Sequence, residues 1–129
     1  MTILGVGIDV ADPTRVARLH ELRGEHFTAK WFTAAEVAEC ERGQDPGRSY
    51  AALLAAKEAV WKALGIRWTG AVPWLSIAIQ RPATGRPASA ELSGEVAAAA
   101  TATGVVSLVI SMSEADGLVV AVAIACGSG

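Results

Sequence analysis

Residues 51–65 read AALLAAKEAVWKALG, and this stretch decides the fold. Nearly every position holds a good helix former, and Gly65 supplies a stop. The loop Gly43-Gln44-Asp45-Pro46-Gly47 precedes it, so the reading is one long helix over residues 48–64. On a 3.6-residue wheel Leu53, Ala56, Val60, Trp61 and Leu64 share a broad apolar face. Lys57 falls in the middle of that face, where an ammonium either snorkels past its neighbours or serves a purpose that justifies its burial. Glu58 and Lys62 stand i, i+4 at the edge of the face, either as a surface ion pair or as two groups aimed at one spot.

The N-terminal run is the second informative stretch. Residues 3–10, ILGVGIDV, form an apolar, β-branched strand pattern that carries Asp9 near its end. A carboxylate at the end of a buried strand serves as a metal ligand, a catalytic acid or a helix cap. Asp12-Pro13 directly afterwards is itself a good N-cap with proline at the first helical position, which leaves Asp9 free for other work.

From there the pattern predicts a helix over residues 13–23, with Val16, Leu19 and Leu22 inward and Arg15, Arg18 and Arg23 beside them. Between residues 13 and 33 four Lys/Arg face only Glu21 and Glu25. That local excess of positive charge is either a solvated helix face or a dock for an acidic partner. Thr33-Ala34-Ala35-Glu36 is a capping box opening a helix to about Arg42. Strands are predicted over residues 75–80, 88–92, 105–112 and 118–125, with a turn over 81–87 and an Ala-rich helix over 93–103. Asp116-Gly117 marks the tip of a hairpin over residues 113–117, and Trp68 and Trp74 are expected to cover core edges. The architecture expected is α+β, a long central helix packed on a small, mainly antiparallel sheet, in one domain over residues 1–129.

Bulk properties narrow the function. The chain has 129 residues and is 52% hydrophobic, enough for one core. A net charge of −2 gives no global sign of nucleic-acid binding. Cys40 and Cys126 make neither a disulfide framework nor a metal spacing, which favours a reducing cytoplasm. No signal peptide is expected ahead of the first strand, and the apolar runs are too short to span a bilayer as helices, so no membrane partner is expected.

Taken together, Gly7-Ile8-Asp9 with Asp12 and Arg15, and Ala55-Ala56-Lys57-Glu58-Ala59 with Lys62-Ala63-Leu64-Gly65, resemble the two signatures of the holo-acyl-carrier-protein synthase family, the small 4'-phosphopantetheinyl transferases. Gly85-Arg86-Pro87 occupies the place of the family's G-K-P turn, and Ser111-Met112-Ser113-Glu114 that of its S-L-S-H. The resemblance implies the 4'-phosphopantetheinyl transferase fold and Mg²⁺-dependent transfer of phosphopantetheine from coenzyme A to a serine of an apo acyl carrier protein. It implies Asp9 and Glu58 as metal carboxylates, with Glu58, Lys62 and Lys57 catalytic, Lys57 holding the pyrophosphate or Glu58. Coenzyme A would meet Lys57, Lys62, Arg48, Gly85, Arg86, Pro87 and Ser113; the carrier protein would meet Arg15, Arg18 and Arg23. A homotrimer with active sites between subunits is also implied. Two departures stand out: Leu53 replaces the family's usual Arg, and Glu114 its usual His. Those two positions usually serve the nucleotide end of coenzyme A, so the departures point either to altered donor recognition or to a catalytically impaired paralogue that binds carrier proteins.

Overall fold

The computed structural model describes residues 1–82 and 85–129. Strand β1 (Thr2–Ala11) leads through Asp12 into helix α1 (Pro13–Arg23), then α2 (Glu25–Trp31), α3 (Ala34–Arg42) and the long α4 (Pro46–Leu64). A 3₁₀ turn (Trp74–Ser76) precedes β2 (Ile77–Gln80); β3 (Ser89–Leu92), α5 (Gly94–Ala102), β4 (Ser107–Ala115) and β5 (Leu118–Gly127) complete the order. The fold is α+β, as expected. Asp12 Oδ1 accepts the Thr14 N–H at 3.0 Å, so it is the cap of α1 and Asp9 is not. Thr33 and Glu36 close their capping box in both directions.

Three differences from the expectation have physical causes. Helix α2 has only seven residues, too few to show a period, and it starts after Gly24 in a positive-φ conformation. The strand expected from residue 75 begins as a 3₁₀ turn and pairs only from Ile77. The β4–β5 hairpin turns on two residues alone, Asp116 at φ 52° and Gly117 at φ 76°, so Ser113, Glu114 and Ala115 are paired strand rather than loop. Of the turn expected over residues 81–87, residues 83 and 84 lie outside the described residues.

The main sheet has the antiparallel order β1-β5-β4, and β2-β3 form a second, two-stranded sheet. The Ile110 N–H donates to the Ala88 carbonyl at 2.8 Å and stitches the two together. Helix α4 lies along β1 and β5. Where it faces the strands it presents alanines, Ala59 and Ala63 against Gly7 and Gly5 of β1, whose partners on β5 are Ala123 and Ala125. Small residues on both sides let main chain approach main chain. A Cβ on Gly7 would stand 1.9 Å from the Ala59 carbonyl oxygen, and one on Gly5 2.0 Å from that of Ala63. Gly7→Ala is therefore expected to destabilise the fold by about 3 kcal/mol, as overpacking does, measured as a drop in urea midpoint at constant m.

The other face of β1 is not buried. Val6, Ile8 and Val10 are each more than half exposed and lie beside Ile124, Val122 and Val120 of β5 in register. The apolar run over residues 3–10 thus has one face on α4 and one open in the single chain. Tyr50, Leu53, Val60, Ile77, Val96, Ile110 and Val119 fill the core. Trp68 and Trp74 lie half-buried at its edge; Trp74 stacks on Trp31 at 4.6 Å, and Trp68 meets Trp61 edge-on at 5.7 Å.

Candidate active site

The close contact of β1 with α4 brings Asp9, Glu58 and Lys62 together. Asp9 follows Gly7 on the face of β1 that meets the helix. The Lys62 ammonium donates to Asp9 Oδ1 at 3.0 Å and to the Ile8 carbonyl at 3.0 Å. Lys62 therefore pairs with Asp9, not with its helical neighbour Glu58. The carboxyl of Glu58 lies within hydrogen-bond reach of Asp9. Burial, the hydrogen bond with Asp9 and the Asp9 charge push Glu58 up to about 7, against a smaller opposing pull from Lys62. Burial also acts to raise Asp9, but the hydrogen bonds to Glu58 and Lys62 and the Lys62 charge outweigh it, and Asp9 sits below its ordinary value.

One polar atom here lacks a donor. Asp9 Oδ2 is buried and meets none unless Glu58 carries a proton. Two neighbouring carboxylates resolve this either by sharing a proton or by sharing a cation. The set is all hard oxygen, with no third protein carboxylate, thiol or imidazole grouped with it among the described residues. That suits Mg²⁺, which keeps several waters and takes one or two carboxylates.

Glu58 also lines a groove of about 400 Å³ with Val10, Asp12, Arg15, Leu19 and Leu54. Leu19 and Leu54 continue into a second groove, of about 350 Å³, lined by Arg23, His26, Lys30 and Trp31. Arg15 and Arg23 thus lie along one path that starts at Glu58. Arg18 faces a separate polar groove with Arg48, Asp45 and Gly117. His26 and Trp31 had no predicted place because α2 was not predicted, and Lys30 entered only as part of the local positive charge over residues 13–33.

The resemblance places Lys57 at the pyrophosphate or on Glu58, and here the structure corrects it. The Lys57 side chain is fully buried, with its ammonium 2.7 Å from Glu36 Oε1 and 3.1 Å from the Trp74 carbonyl. Burial lowers its pKa in spite of Glu36. It neither snorkels nor reaches Asp9. The missing signal was Glu36, which the sequence shows only as a capping-box residue.

The expected donor-binding residues are spread out. Gly85, Arg86 and Pro87 line a cleft of about 460 Å³ with Arg81 and, from β4, Ser111. Ser113 lies one step further along the same face of β4. This cleft shares no lining residue with the Glu58 groove. The two departures have different standing. Leu53 is 2% exposed and belongs to the core, so in this chain that position is packing and not a phosphate contact. Glu114 forms an ion pair with Arg48, whose guanidinium also lies 3.5 Å from Asp45.

The 4'-phosphopantetheinyl transferase superfamily model matches residues 5–123. A holo-[acyl-carrier-protein] synthase of Anaeromyxobacter dehalogenans is 40% identical, covering 98% of each chain, and one of Solibacter usitatus is 34% identical over 90% of this chain and 92% of its own. The crystal structure of the Neisseria meningitidis holo-[acyl-carrier-protein] synthase superposes with a TM-score of 0.84 at 29% identity, covering 96% of this chain and 98% of that one. The Helicobacter pylori synthase in complex with coenzyme A gives 0.78 at 25% identity, over 94% and 99%. With this match and the Asp9–Glu58–Lys62 cluster in one fold, the chain belongs to the holo-acyl-carrier-protein synthase family of 4'-phosphopantetheinyl transferases.

Proposed function

We propose that the protein transfers 4'-phosphopantetheine from coenzyme A to a serine of an apo acyl carrier protein. The observation that carries this reading is the Asp9–Glu58 carboxylate pair, with Lys62 beside it, at the head of a groove leading to basic helices. The serine oxygen forms a bond to the β-phosphorus of coenzyme A, and the bond from that phosphorus to the bridging oxygen breaks. The products are the phosphopantetheinyl serine and 3',5'-adenosine bisphosphate. Glu58, held near neutral, is suited to take the serine proton on its carboxylate. Lys62, half-exposed and anchored through Asp9 and the Ile8 carbonyl, offers a positive charge to phosphoryl oxygens as negative charge develops there. A Mg²⁺ held by Asp9 and Glu58 would add charge stabilisation at the pyrophosphate.

The carrier protein docks along the groove past Arg15 and Arg23, and the basic side chains of α2 extend that dock. The donor's nucleotide end uses the cleft at Gly85, Arg86 and Pro87. The homotrimer with sites between subunits is what the family resemblance implies, and the separation of that cleft from the Glu58 groove and the open apolar sheet face support an assembly of that kind. Two buried, unpaired cysteines suit a reducing cytoplasm. Among the described residues no helix is long and apolar enough to cross a membrane.

The test is incubation with coenzyme A, Mg²⁺ and a panel of apo carrier proteins. An intact-mass gain of one phosphopantetheine on a carrier is expected; no gain on any carrier would defeat the proposal in favour of a non-catalytic carrier-protein binder. Arg15→Glu is expected to raise the carrier KM about tenfold at low salt, by setting like charge against an acidic partner, with less effect at high salt.

A further inference from the structure

Glu36 and Lys57 form a buried ion pair in which both carboxylate oxygens are hydrogen-bonded. Glu36 Oε1 accepts the Lys57 ammonium at 2.7 Å and the Thr33 N–H at 2.8 Å. Its Oε2 accepts the Ile79 N–H at 2.9 Å. Lys57 also donates to the Trp74 carbonyl, so the pair ties α3, α4 and the segment entering β2 at one point. Stability alone is a poor reason for such a pair, since well-packed apolar side chains of similar volume hold as well or better. Its position offers a better one. Lys57 and Glu58 are consecutive on α4 and diverge by about 100°, so one turns toward Glu36 while the other turns toward Asp9. Where α4 meets β1 beside Glu58, the contact is Ala59 on Gly7 and Ala63 on Gly5, so no large side chain interlocks at that point; Tyr50, Leu53 and Val60 anchor other parts of the helix in the core. A glutamate carboxylate stands about 5–6 Å from the axis, so a turn of about 10° carries it about 1 Å. Displacement of that size is enough to lower a rate about a hundredfold.

We infer that the Glu36–Lys57 pair is a positioning device that sets the rotation of α4 and so presents Glu58 to Asp9. The inference rests on the transferase reading for its catalytic consequence, but not for its geometry. Neither residue touches substrate.

The test compares Glu36→Gln, Lys57→Met and the double variant with the full-length protein. Mn²⁺ binding to the free protein is read by electron paramagnetic resonance, fold by circular dichroism, and kcat and KM for coenzyme A by transfer assay well below the melting temperature. Each single variant is expected to bind Mn²⁺ about tenfold more weakly and to lose about 10- to 100-fold in kcat, with KM for coenzyme A within about twofold. The double variant is expected to be no worse than Lys57→Met, because its partner charge is already gone. A tenfold rise in KM in Lys57→Met but not in Glu36→Gln would overturn the inference and put Lys57 on the donor. Lower melting temperatures with unchanged Mn²⁺ affinity and kcat would reduce the pair to a structural one. Should the single variants unfold, the double variant leaves no buried charge unpaired, and wild-type Mn²⁺ affinity in it would overturn the inference equally. If the wild type modifies no carrier, the transferase reading falls while the Mn²⁺ comparison still decides this one.

Discussion

Asp9→Ala and Glu58→Ala are each expected to lower kcat about a thousandfold with the fold intact. A thousandfold corresponds to about 4 kcal/mol of transition-state stabilisation, a size typical of losing charge stabilisation aimed at a reacting oxygen. Both residues are polar groups at the edge of the helix–strand contact, so neither truncation opens a cavity in the core. Glu58→Gln separates chemistry from stability further. The Glu58 pKa is raised from 4.5 to about 7 in the folded protein. Its favourable contribution is therefore complete below 4.5 and is lost as pH rises through 7. Asp9, which is lowered, runs the other way, contributing above its ordinary value and losing that contribution in acid. Above pH 7 without divalent cations, two carboxylates face each other with only the Lys62 ammonium to offset them. Glu58→Gln should then melt higher than wild type at pH 8 in chelator, with the difference vanishing near pH 4, while turnover is lost. Near-wild-type turnover in any of these variants at saturating Mg²⁺ would remove Asp9 and Glu58 from the site.

Val6→Glu is expected to convert the proposed trimer to folded monomers and to reduce transfer at least a hundredfold. Val6 is 60% exposed in the single chain, so a glutamate there meets water and leaves the monomer fold unstrained. In an assembly that covers the face containing Val6, Ile8, Val10, Val120, Val122 and Ile124, the same carboxylate would be buried without a partner. A buried, unpaired charge costs about 3–5 kcal/mol per copy, enough to dissociate a modest interface at micromolar concentration. Light scattering with circular dichroism reads both halves of the expectation. A wild-type monomer mass, or an unchanged mass for Val6→Glu, would show that this face is not the interface.

What the sequence revealed follows from how local its signals are. Helix α4 is dense in helix formers and stops at a glycine in the left-handed region, so its span was legible to within two residues. Asp12 capping α1, the Thr33–Glu36 box and the Asp116-Gly117 turn are each decided by two to four adjacent residues. The meeting of Asp9 with Glu58 was not local, and it was legible only through the family signatures. Lys57 shows the limit. Its place in the apolar face was visible, but its partner stands on another helix, and nothing in residues 33–36 announces a second use for Glu36. Helix α2 was hidden by its shortness, although the positive charge of Lys30 on it was visible. Leu53 shows a local signal that sufficed: its place on the apolar face of α4 predicted packing, and it lies in the core.

The missing side chain of Gly7 has a consequence for the ion that Asp9 and Glu58 would share. Strand and helix stand as near as they do because nothing projects from position 7, and Asp9 and Glu58 lie two residues further along the strand and one residue before Ala59. Mg²⁺ sits about 2.1 Å from its oxygens and Ca²⁺ about 2.3–2.6 Å, a contrast smaller than the displacement any methyl group at position 7 would force. Any discrimination by ionic radius at that pair would thus depend on a residue that touches no ion, and would be set by the width of bare backbone.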